Sequence, residues 1–430
     1  SHLYLPINFM RKLTFLLTCI SFVLSLGFSQ AQVKDDQIVT PNRKNAKEQK
    51  EKPYVILISV DGFRHDYFEK YKPTFLNKIA DQAVKAEYMS PSFPSVTFPN
   101  HYTIVTGMIP PHHGLVGNNM LNSETGERYS LRNQKAITNP DWYGGIPIWS
   151  LAESQNMLSA CFYWPGSEAE IAGYLPTYYY PYAENKGVEE RINQVVKWLE
   201  MPAAKRPHLI TFYMPDVDQA GHRYGPNAFE TETTVHYSDG AIQKLYEAVS
   251  KTGLPVNFVF LSDHGMTELD RENPILLPKI DPEKMDVVVN GTYTSIFIKE
   301  PNDTQEVLKY FQKEATDQYE VYLKAKVPEK YRFSTKEDKL NRIGDIVLIA
   351  EAPYYFTDRT PIPGAHGYLA EDTPDMDTVF MAWGPDIQEG KQIEGFKNIH
   401  VYPLLAELLG LDYEHEIDGD ARLVPKVLKK

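Results

Sequence analysis

Cysteine is nearly absent from this sequence. Only Cys19 and Cys161 occur among its 430 residues. Cys19 lies in an apolar N-terminal segment that we expect to be removed, so the remaining chain would keep one thiol and form no intrachain disulfide. An exported protein of this size without disulfides fits a bacterial periplasm or exterior better than a eukaryotic secretory route.

Positive charge is scarce relative to negative charge. The 44 Lys and Arg residues are outnumbered by 57 Asp and Glu residues, which gives a formal net charge of −13. A chain without an overall positive field attracts long polyanions poorly, so we expect no stable complex with nucleic acid. A small phosphorylated substrate is still compatible with this charge, because bound metal ions can dominate the local field of a site.

Long hydrophobic runs are absent apart from one near the N-terminus. Residues 13–28 are almost entirely apolar, follow the cationic segment 10–12 and precede the small residues of 29–31. This order predicts a secretory signal peptide over residues 10–31 rather than a membrane span. An alternative is lipid attachment at Cys19. We therefore expect a periplasmic or secreted protein with no membrane span after cleavage and with no obligate protein partner.

The rest of the chain predicts a polar linker over residues 32–52 and one α/β domain over residues 53–425. The linker has no apolar period. Apolar, β-branched runs predict strands at residues 54–60, 208–213, 257–262 and 378–383. Helical spacing is present at residues 188–200, 228–251 and 398–409. This alternation predicts a mainly parallel central sheet with helices on both faces, and residues 286–350 predict a small α+β insertion.

Acidic and histidine side chains follow three of the predicted strands, at the strand ends where α/β folds bind ligands. Asp and neutral His are standard zinc ligands, and the Asp-x-x-x-His spacing places two of them on one helix face. Each residue alone is also compatible with a helix cap or a solvated ion pair. Together they could form two open three-ligand sites, and two close metal ions suit in-line phosphoryl displacement. The six candidates are Asp61, Asp218, His222, Asp263, His264 and His366.

Several long motifs occur in one order from about residue 54 to residue 411. They are VDGFRHDY (60–67), FPSVTFPNHYTIVTG (93–107), HGLVGNNM (113–120), YWPGSEAEIAG (163–173), PDVDQAGHRYGP (215–226), SDHGM (262–266), RIGDIVLIAE (342–351), GAHGY (364–368) and MAWGPDI (381–387). With these motifs the chain resembles the nucleotide pyrophosphatase/phosphodiesterase family of the alkaline phosphatase superfamily. The resemblance implies an alkaline-phosphatase-like α/β fold and two Zn²⁺ ions per chain.

The resemblance also implies a role for each matching residue. One zinc ion would be bound by Asp61, Thr97, Asp263 and His264, and the other by Asp218, His222 and His366. Thr97 would be the nucleophile, activated by metal coordination. Asn118 would donate its side-chain amide to a non-bridging phosphoryl oxygen. A covalent threonyl intermediate would form and then be hydrolysed by water.

One motif departs from the family pattern. In the family an acidic residue is followed by Pro-Asp, with a His four residues after that Asp. Here Pro215-Asp216 is the obvious match, but only Asp218 has the four-residue spacing to His222. We therefore expect Asp218 to be the ligand and Asp216 to lie behind it or to cap the helix.

Aromatic residues suggest the substrate class. In nucleotide-cleaving relatives, rings at the positions of Phe98 and Tyr213 sandwich the base, and Tyr178 belongs to a segment that lines the cleft. Such stacking contributes about 1–3 kcal/mol per base. The expected partner is a small nucleotide or phosphodiester, with a nucleoside triphosphate yielding a nucleoside monophosphate and pyrophosphate. The alternatives are a choline-phosphodiesterase, a phosphomonoesterase or phosphonate hydrolase of the same superfamily, and a structural zinc-binding exported protein.

Overall fold

A strand over Tyr54–Val60 lies near the middle of a mixed sheet in the computed structural model, which describes residues 36–430. All of its residues are buried, as the continuous apolar run YVILISV predicts for a strand covered on both faces. The predicted signal peptide and Cys19 lie outside the described residues. Within residues 36–430, no helix combines the length and the apolar character needed to cross a bilayer.

The strands of the described residues follow in chain order. They are β1 (Ile38–Val39), β2 (Tyr54–Val60), β3 (Val84–Ala86), β4 (Met89–Ser90), β5 (Met120–Leu121), β6 (Arg128–Tyr129), β7 (Ser159–Phe162), β8 (Tyr178–Tyr180), β9 (Leu209–Met214), β10 (Val256–Leu261), β11 (Thr267–Glu268), β12 (Met285–Val289), β13 (Tyr293–Ile298), β14 (Tyr319–Leu323), β15 (Ile346–Ala350), β16 (Gly364–Ala365), β17 (Phe380–Trp383), β18 (Lys391–Ile393) and β19 (Phe396–Lys397).

The α-helices of the described residues are numbered in the same way. They are α1 (Tyr67–Tyr71), α2 (Thr74–Ile79), α3 (Thr97–Thr106), α4 (Pro110–His113), α5 (Gln134–Ile137), α6 (Ile148–Ser154), α7 (Val188–Leu199), α8 (Asp216–Tyr224), α9 (Phe229–Ser250), α10 (Thr304–Glu314), α11 (Val401–Leu409) and α12 (Val424–Val427). The three helices predicted from apolar spacing correspond to α7, α9 and α11.

The main sheet has the order β1-β8-β7-β9-β2-β10-β17-β3-β18. Its central strands β8, β7, β9, β2 and β10 are parallel to one another, whereas β17 runs antiparallel to both of its neighbours. The predicted α/β fold with a mainly parallel sheet is confirmed for this centre. Because β9, β2 and β10 are adjacent and parallel, their carboxyl ends meet at one edge of the sheet.

Helices cover both faces of the sheet. Alternate side chains of β2 point to opposite faces, as the pleat of a strand requires. Val55 and Leu57 belong to the core that contains side chains of α3 and α11, while Ile56 and Ile58 belong to the core that contains side chains of α7 and α9. This arrangement gives the two hydrophobic layers of a doubly covered sheet.

The described part of the predicted linker packs against the domain. Ile38 and Val39 pair antiparallel with Tyr179 and Tyr178 at the edge of the main sheet. Asn45 is buried, and its amide donates to the carbonyls of Ala203 and Arg206 at 2.8 and 2.7 Å. The sequence predicted a linker because this segment has no apolar period. The segment packs against the domain nevertheless, because the polar side chain of Asn45 forms hydrogen bonds with backbone carbonyl groups.

The predicted α+β insertion forms a second, antiparallel sheet with the order β12-β13-β15-β14. Helix α10 packs on it, with Val307 and Phe311 in the same core as Ile296 and Leu348. The four strands and α10 lie at about the residues over which the insertion was predicted, 286–350. The sequence analysis did not identify β14, in which only Tyr319 is buried and the other residues are partly buried or exposed.

Candidate active site

The carboxyl ends of three adjacent parallel strands bring the predicted ligands together. Asp61 follows β2, Asp218 lies in the first turn of α8 after β9, and the pair Asp263 and His264 follows β10. This is the edge of an α/β sheet at which ligands bind. His366 comes from the distant loop after β16, which only the tertiary structure brings to this edge.

One cluster contains Asp218, His222 and His366, whose ligand atoms all lie within 4.8 Å of one another. The Nε2 atoms of the two imidazoles are 3.1 Å apart. Each Nδ1 faces a backbone carbonyl at 2.8 Å, that of Gly364 for His222 and that of Ser95 for His366. A neutral ring whose Nδ1–H donates to a carbonyl keeps a lone pair on Nε2. Two lone pairs at this distance repel unless a proton or a cation lies between them.

The second cluster contains Asp61, Asp263 and His264 together with the hydroxyl of Thr97. The Nε2 atom of His264 lies 2.9 Å from Asp263 Oδ2, 3.1 Å from Asp61 Oδ1 and 3.2 Å from Thr97 Oγ1. The Nδ1 atom of His264 faces the Gly265 carbonyl at 2.8 Å. This orientation again turns the Nε2 lone pair toward the carboxylates, which are themselves acceptors.

Three carboxylate oxygens in these clusters have no hydrogen-bond donor among the described residues. They are Asp61 Oδ1, Asp218 Oδ1 and Asp263 Oδ2, and all three are buried. A buried, unpaired carboxylate is unfavourable unless a cation or donors compensate it. Oxygen and imidazole nitrogen are suitable ligands for Zn²⁺, and the absence of cysteine is typical of an open site rather than a closed structural one. The residues present therefore fit bound divalent metal.

The pKa values of these residues respond to the same crowding of charge. Burial, together with the neighbouring carboxylates of Asp263 and Asp218, raises the pKa of Asp61 to about 7, although His264 opposes the shift. Burial lowers the pKa of His366 to about 4, with His264 as a further cause. Burial alone would also raise the pKa of Asp218, but His222 and His366 hold it well below its usual range.

Thr97 is the first residue of helix α3, after the extended residue Val96. The N–H of Phe98 donates to Asn118 Oδ1 at 3.0 Å. The amide nitrogen of Asn118 makes no hydrogen bond within the described residues, so it can donate to a ligand while the oxygen is held by Phe98. The nucleophile candidate, a helix N-terminus and a side-chain donor therefore lie next to one another.

His101 is a site residue that the sequence analysis did not single out. Its Nδ1 lies 2.9 Å from the Thr97 carbonyl oxygen and 3.2 Å from Asp263 Oδ2, and its Nε2 lies 2.8 Å from Ser59 Oγ. It is fully buried. The spacing of four residues from Thr97 within the motif TFPNH was the available signal, because it places both residues on one face of a helix.

Tyr213 lies at the site but in a different role from the expected stacking. Its hydroxyl donates to Asp61 Oδ2 at 2.6 Å, and the residue is only 8% exposed. Tyr182 is 41% exposed, and its ring centroid lies 6.0 Å from that of Tyr213. Tyr182 therefore presents an exposed aromatic ring beside the clusters. The sequence YYYPY over residues 178–182 did not show which of its tyrosines would be exposed.

The predicted substrate residue Tyr178 is not brought to this site. Its hydroxyl donates to the Lys205 carbonyl at 2.8 Å, in the loop that precedes β9. That loop lies at the amino ends of the parallel strands, opposite the edge that carries the clusters. The assignment of Tyr178 to the substrate cleft was wrong because alternation along β8 points this ring into the core beside Trp198.

The two candidate aspartates of α8 lie in different surroundings. Asp218 is part of the imidazole cluster, whereas Asp216 is not among the groups that could hold a metal ion in the described residues. Asp216 is the first residue of α8 and lies within electrostatic reach of the buried Arg191. Of the two aspartates, only Asp218 therefore lies in a group of described residues that could hold a metal ion.

Comparison with known proteins identifies the family. The family model described as type I phosphodiesterase/nucleotide pyrophosphatase matches residues 55–369. Venom phosphodiesterase 2 of Crotalus adamanteus is 33% identical over 370 residues, which are 83% of this chain and 45% of that protein. Ectonucleotide pyrophosphatase/phosphodiesterase family member 3 of Mus musculus is 33% identical over 373 residues, which are 84% of this chain and 42% of that protein. The chain thus spans less than half the length of these relatives.

The solved structures of a murine relative agree with this result. Murine ectonucleotide pyrophosphatase/phosphodiesterase 5 superposes with a TM-score of 0.80 at 28% identity, covering 87% of this chain and 100% of that one. An inactive threonine-to-alanine variant of the murine protein in complex with AMP also superposes with a TM-score of 0.80, at 28% identity and with 88% and 100% coverage. This chain belongs to the type I phosphodiesterase/nucleotide pyrophosphatase family.

Proposed function

We propose that this protein is a two-zinc phosphodiesterase and pyrophosphatase that hydrolyses nucleotides through a covalent intermediate on Thr97. The observation that carries the proposal is the position of the Thr97 hydroxyl, 3.2 Å from His264 Nε2 beside buried carboxylate oxygens that have no donor among the described residues. A hydroxyl in such surroundings is placed for activation as a nucleophile.

Each cluster holds one metal ion in this proposal. Asp61, Asp263 and His264 would hold the first ion together with Thr97. Asp218, His222 and His366 would hold the second. Bound Zn²⁺ would supply Lewis-acid stabilisation of the charge on the attacking and leaving oxygens. The backbone carbonyls that accept from each Nδ1–H fix the three rings with Nε2 toward the clusters.

The protein residues then divide the reaction between them. Thr97 Oγ1 attacks phosphorus, the new Oγ1–P bond replaces the bond to the leaving oxygen, and the hydroxyl proton leaves with pyrophosphate or to solvent. The Asn118 amide nitrogen donates to a non-bridging phosphoryl oxygen, since its own oxygen is held by the Phe98 N–H. A water molecule then displaces Thr97 Oγ1, which recovers a proton from that water, and the nucleoside monophosphate is released.

The aromatic residues around the site support a nucleotide as substrate. Phe98 is half-buried and packs edge-on against Tyr129 with ring centroids 6.1 Å apart, and Tyr182 presents an exposed ring beside Tyr213. A base can stack on either exposed face without a sequence-specific contact. The AMP complex of the murine relative agrees with this substrate class.

We also propose that the protein is exported. The predicted signal peptide over residues 10–31 favours this localisation, and the names of the relatives describe venom and ecto-enzymes. The periplasm of a bacterium is the compartment that the low cysteine content favours.

The test is a comparison of kcat/KM for the purified, zinc-loaded protein on ATP, p-nitrophenyl phosphorylcholine and p-nitrophenyl phosphate. We expect ATP to be the best of the three, with AMP and pyrophosphate as products. A preference for the choline ester or for the monoester would refute the nucleotide assignment while leaving Thr97 and the clusters in place. No turnover of any of them would favour a structural zinc protein.

A further inference from the structure

The turn between β12 and β13 of the insertion lies against two loops of the active site. Gly291 in this turn has a φ of +79°, and its carbonyl accepts from the Phe356 N–H at 2.7 Å. A Cβ atom at Gly291 would lie 2.1 Å from the ring of Tyr355, so the turn is tightly packed from behind. The turn therefore has a fixed position from which neighbouring side chains reach the main domain.

Asn290 in this turn holds the backbone of the residue after Asn118. Its Oδ1 accepts from the Asn119 N–H at 3.0 Å, and its Nδ2 donates to the Asn119 carbonyl at 3.1 Å. These two reciprocal bonds resemble the pairing of two strands. A side-chain amide that bonds both backbone groups of one residue fixes the direction of the chain at that residue.

Tyr293 holds the same loop on the other side of Asn118. The hydroxyl of this buried residue donates to the Val116 carbonyl. Between the two contacts lies Gly117, where a Cβ atom would come within 2.5 Å of Tyr293 Oη and 2.9 Å of the Asn290 amide. The backbone of residues 116–119 thus lies directly on the insertion, while the side chain of Asn118 accepts from the Phe98 N–H.

A third contact comes from Arg342, between β14 and β15 of the insertion. Its guanidinium donates to the carbonyls of Gly114 and Trp142 at 3.1 Å each and to the Asp141 carbonyl at 2.9 Å. It also lies 4.5 Å from the ring centroid of Trp142. These bonds fix the beginning of the segment that ends at Asn119.

The turn also contacts the loop that carries His366. Gly367, which follows His366 in the chain, has a φ of +124°, and a Cβ atom there would lie 2.0 Å from Oγ1 of Thr292 in the turn. The N–H of Gly367 itself donates to Ser95 Oγ at 3.0 Å. One turn of the insertion therefore touches both the loop of the phosphoryl-binding amide and the loop of a metal-ligand candidate.

We propose that the α+β insertion is a positioning element for catalysis, in which Asn290, Tyr293 and Arg342 hold residues 114–119 so that the Asn118 amide points at the phosphoryl group. This inference rests on the proposed function, because it assigns the insertion a part in the same reaction. Asn290 is a positioning residue that acts through Asn118, and it makes no contact with the reacting atoms.

The experiment is a double-mutant cycle on ATP hydrolysis with Asn118→Ala and Asn290→Ala. We expect Asn118→Ala to lower kcat by roughly 10²-fold, the usual loss for one oxyanion donor. Asn290→Ala should lower kcat by about tenfold with little change in KM, because a slightly displaced donor loses transition-state binding. In the Asn118→Ala background, Asn290→Ala should change kcat less than about twofold, since coupled residues are not additive.

Asn302→Ala is the matched control, because this asparagine is an exposed residue of the insertion whose side chain makes no hydrogen bond with the described residues. It should leave kcat unchanged. Hydrogen exchange measured by mass spectrometry should be faster over residues 114–121 in Asn290→Ala but not in Asn302→Ala. Tyr293→Phe removes the donor to Val116 and should change kcat in the same direction, which covers the case that Asn290→Ala folds poorly.

The outcomes separate the two proposals. An active protein whose Asn290→Ala variant keeps its kcat, or loses the same factor with and without Asn118, overturns the positioning role alone. Failure of the unsubstituted protein to hydrolyse any phosphodiester overturns the proposed function itself. A loss of kcat that disappears in the Asn118→Ala background, together with faster exchange over residues 114–121, supports the inference.

Discussion

Two groups of histidines and carboxylates in this protein look alike in composition and differ in bonding. In the active-site clusters, imidazole Nε2 atoms face one another or face carboxylate oxygens that accept no hydrogen bond. In the second group, His112 places Nδ1 2.9 Å from Asp418 and Nε2 2.6 Å from Glu337, so both nitrogens face an acceptor. Arg332 adds a contact of 3.3 Å to Asp418.

The difference shows which observation identifies a metal site. A protonated His112 satisfies both carboxylates, and its pKa is raised by them although burial opposes the charge. The second group is thus an ion-pair network in which every charged group has a partner of opposite charge. It joins α4 to the C-terminal segment and to residues 332–337. In the cluster of Asp218, His222 and His366, by contrast, each Nδ1 already faces a backbone carbonyl, and the two Nε2 atoms lie 3.1 Å apart and share one oxygen of Asp218. Unpaired buried acceptors, rather than residue types, therefore separate the two groups.

Removal of the Thr97 hydroxyl, the proposed nucleophile, should have the largest effect. We expect Thr97→Ala to lower kcat/KM on ATP by at least about 10³-fold, since the covalent step is lost. Thr97→Ser should keep measurable activity because it retains the hydroxyl. Metal content measured by elemental analysis should remain close to that of the unsubstituted protein. Full activity of Thr97→Ala would remove Thr97 from the mechanism.

The two aspartates of α8 should differ in effect. Asp218→Ala should lower kcat/KM by about 10²-fold or more, because it deletes an oxygen that faces two imidazoles at 3.2 and 3.3 Å. Asp216→Ala should lower it less than tenfold on the same scale. Steady-state kinetics of both variants decide the point, and the reverse order would exchange their roles.

His366→Ala and His112→Ala test the comparison directly, because the same residue type is removed from each group. His366→Ala should lower activity steeply and reduce bound metal from two ions toward one, and added zinc should restore part of the activity. His112→Ala should leave the metal content at that of the unsubstituted protein. Full activity of His366→Ala, or loss of metal from His112→Ala, would show that the two groups have been assigned wrongly.

The smallest expected effect is a loss of stability that depends on pH. His112→Gln should lower the free energy of unfolding by about 1.5 kcal/mol, the lower end of the range for hydrogen bonds to a charged group. The pKa of His112 is raised above its usual 6.5 and that of Asp418 is lowered below its usual 3.8. The stabilisation is therefore complete between about pH 4 and 6.5, and it falls at higher pH as folded His112 loses its proton.

Denaturant unfolding of His112→Gln and of the unsubstituted protein across pH 4–9 measures this effect. The difference between the two proteins should be largest near pH 5 and should shrink toward pH 9. Activity on ATP at neutral pH is the control and should stay unchanged. A difference that grows with increasing pH would show that His112 is neutral in the folded protein.

The local pattern of the sequence was sufficient for the frame of the fold. Continuous apolar runs predicted β2, β9 and β10, because strands buried on both faces have no polar alternation. Apolar residues at helical spacing predicted α7, α9 and α11. Strands β7 and β8 were not predicted, and the segment containing β1 was expected to be a linker, since such short strands owe their structure to partners distant in sequence.

The sequence by itself predicted which residues have the chemistry of the site. Asp61, Thr97 and Asp263 were named from strand ends and motifs, and the spacing of four residues selected Asp218 over Asp216. The tertiary structure decided which side chains share a space. In the folded chain the Tyr213 hydroxyl donates to Asp61, and Tyr178 lies away from the site. His101 and the turn that contains Asn290 lie next to site residues. Spacing fixes which residues share a face of a helix or strand, but the neighbour across that face depends on chain folding over hundreds of residues.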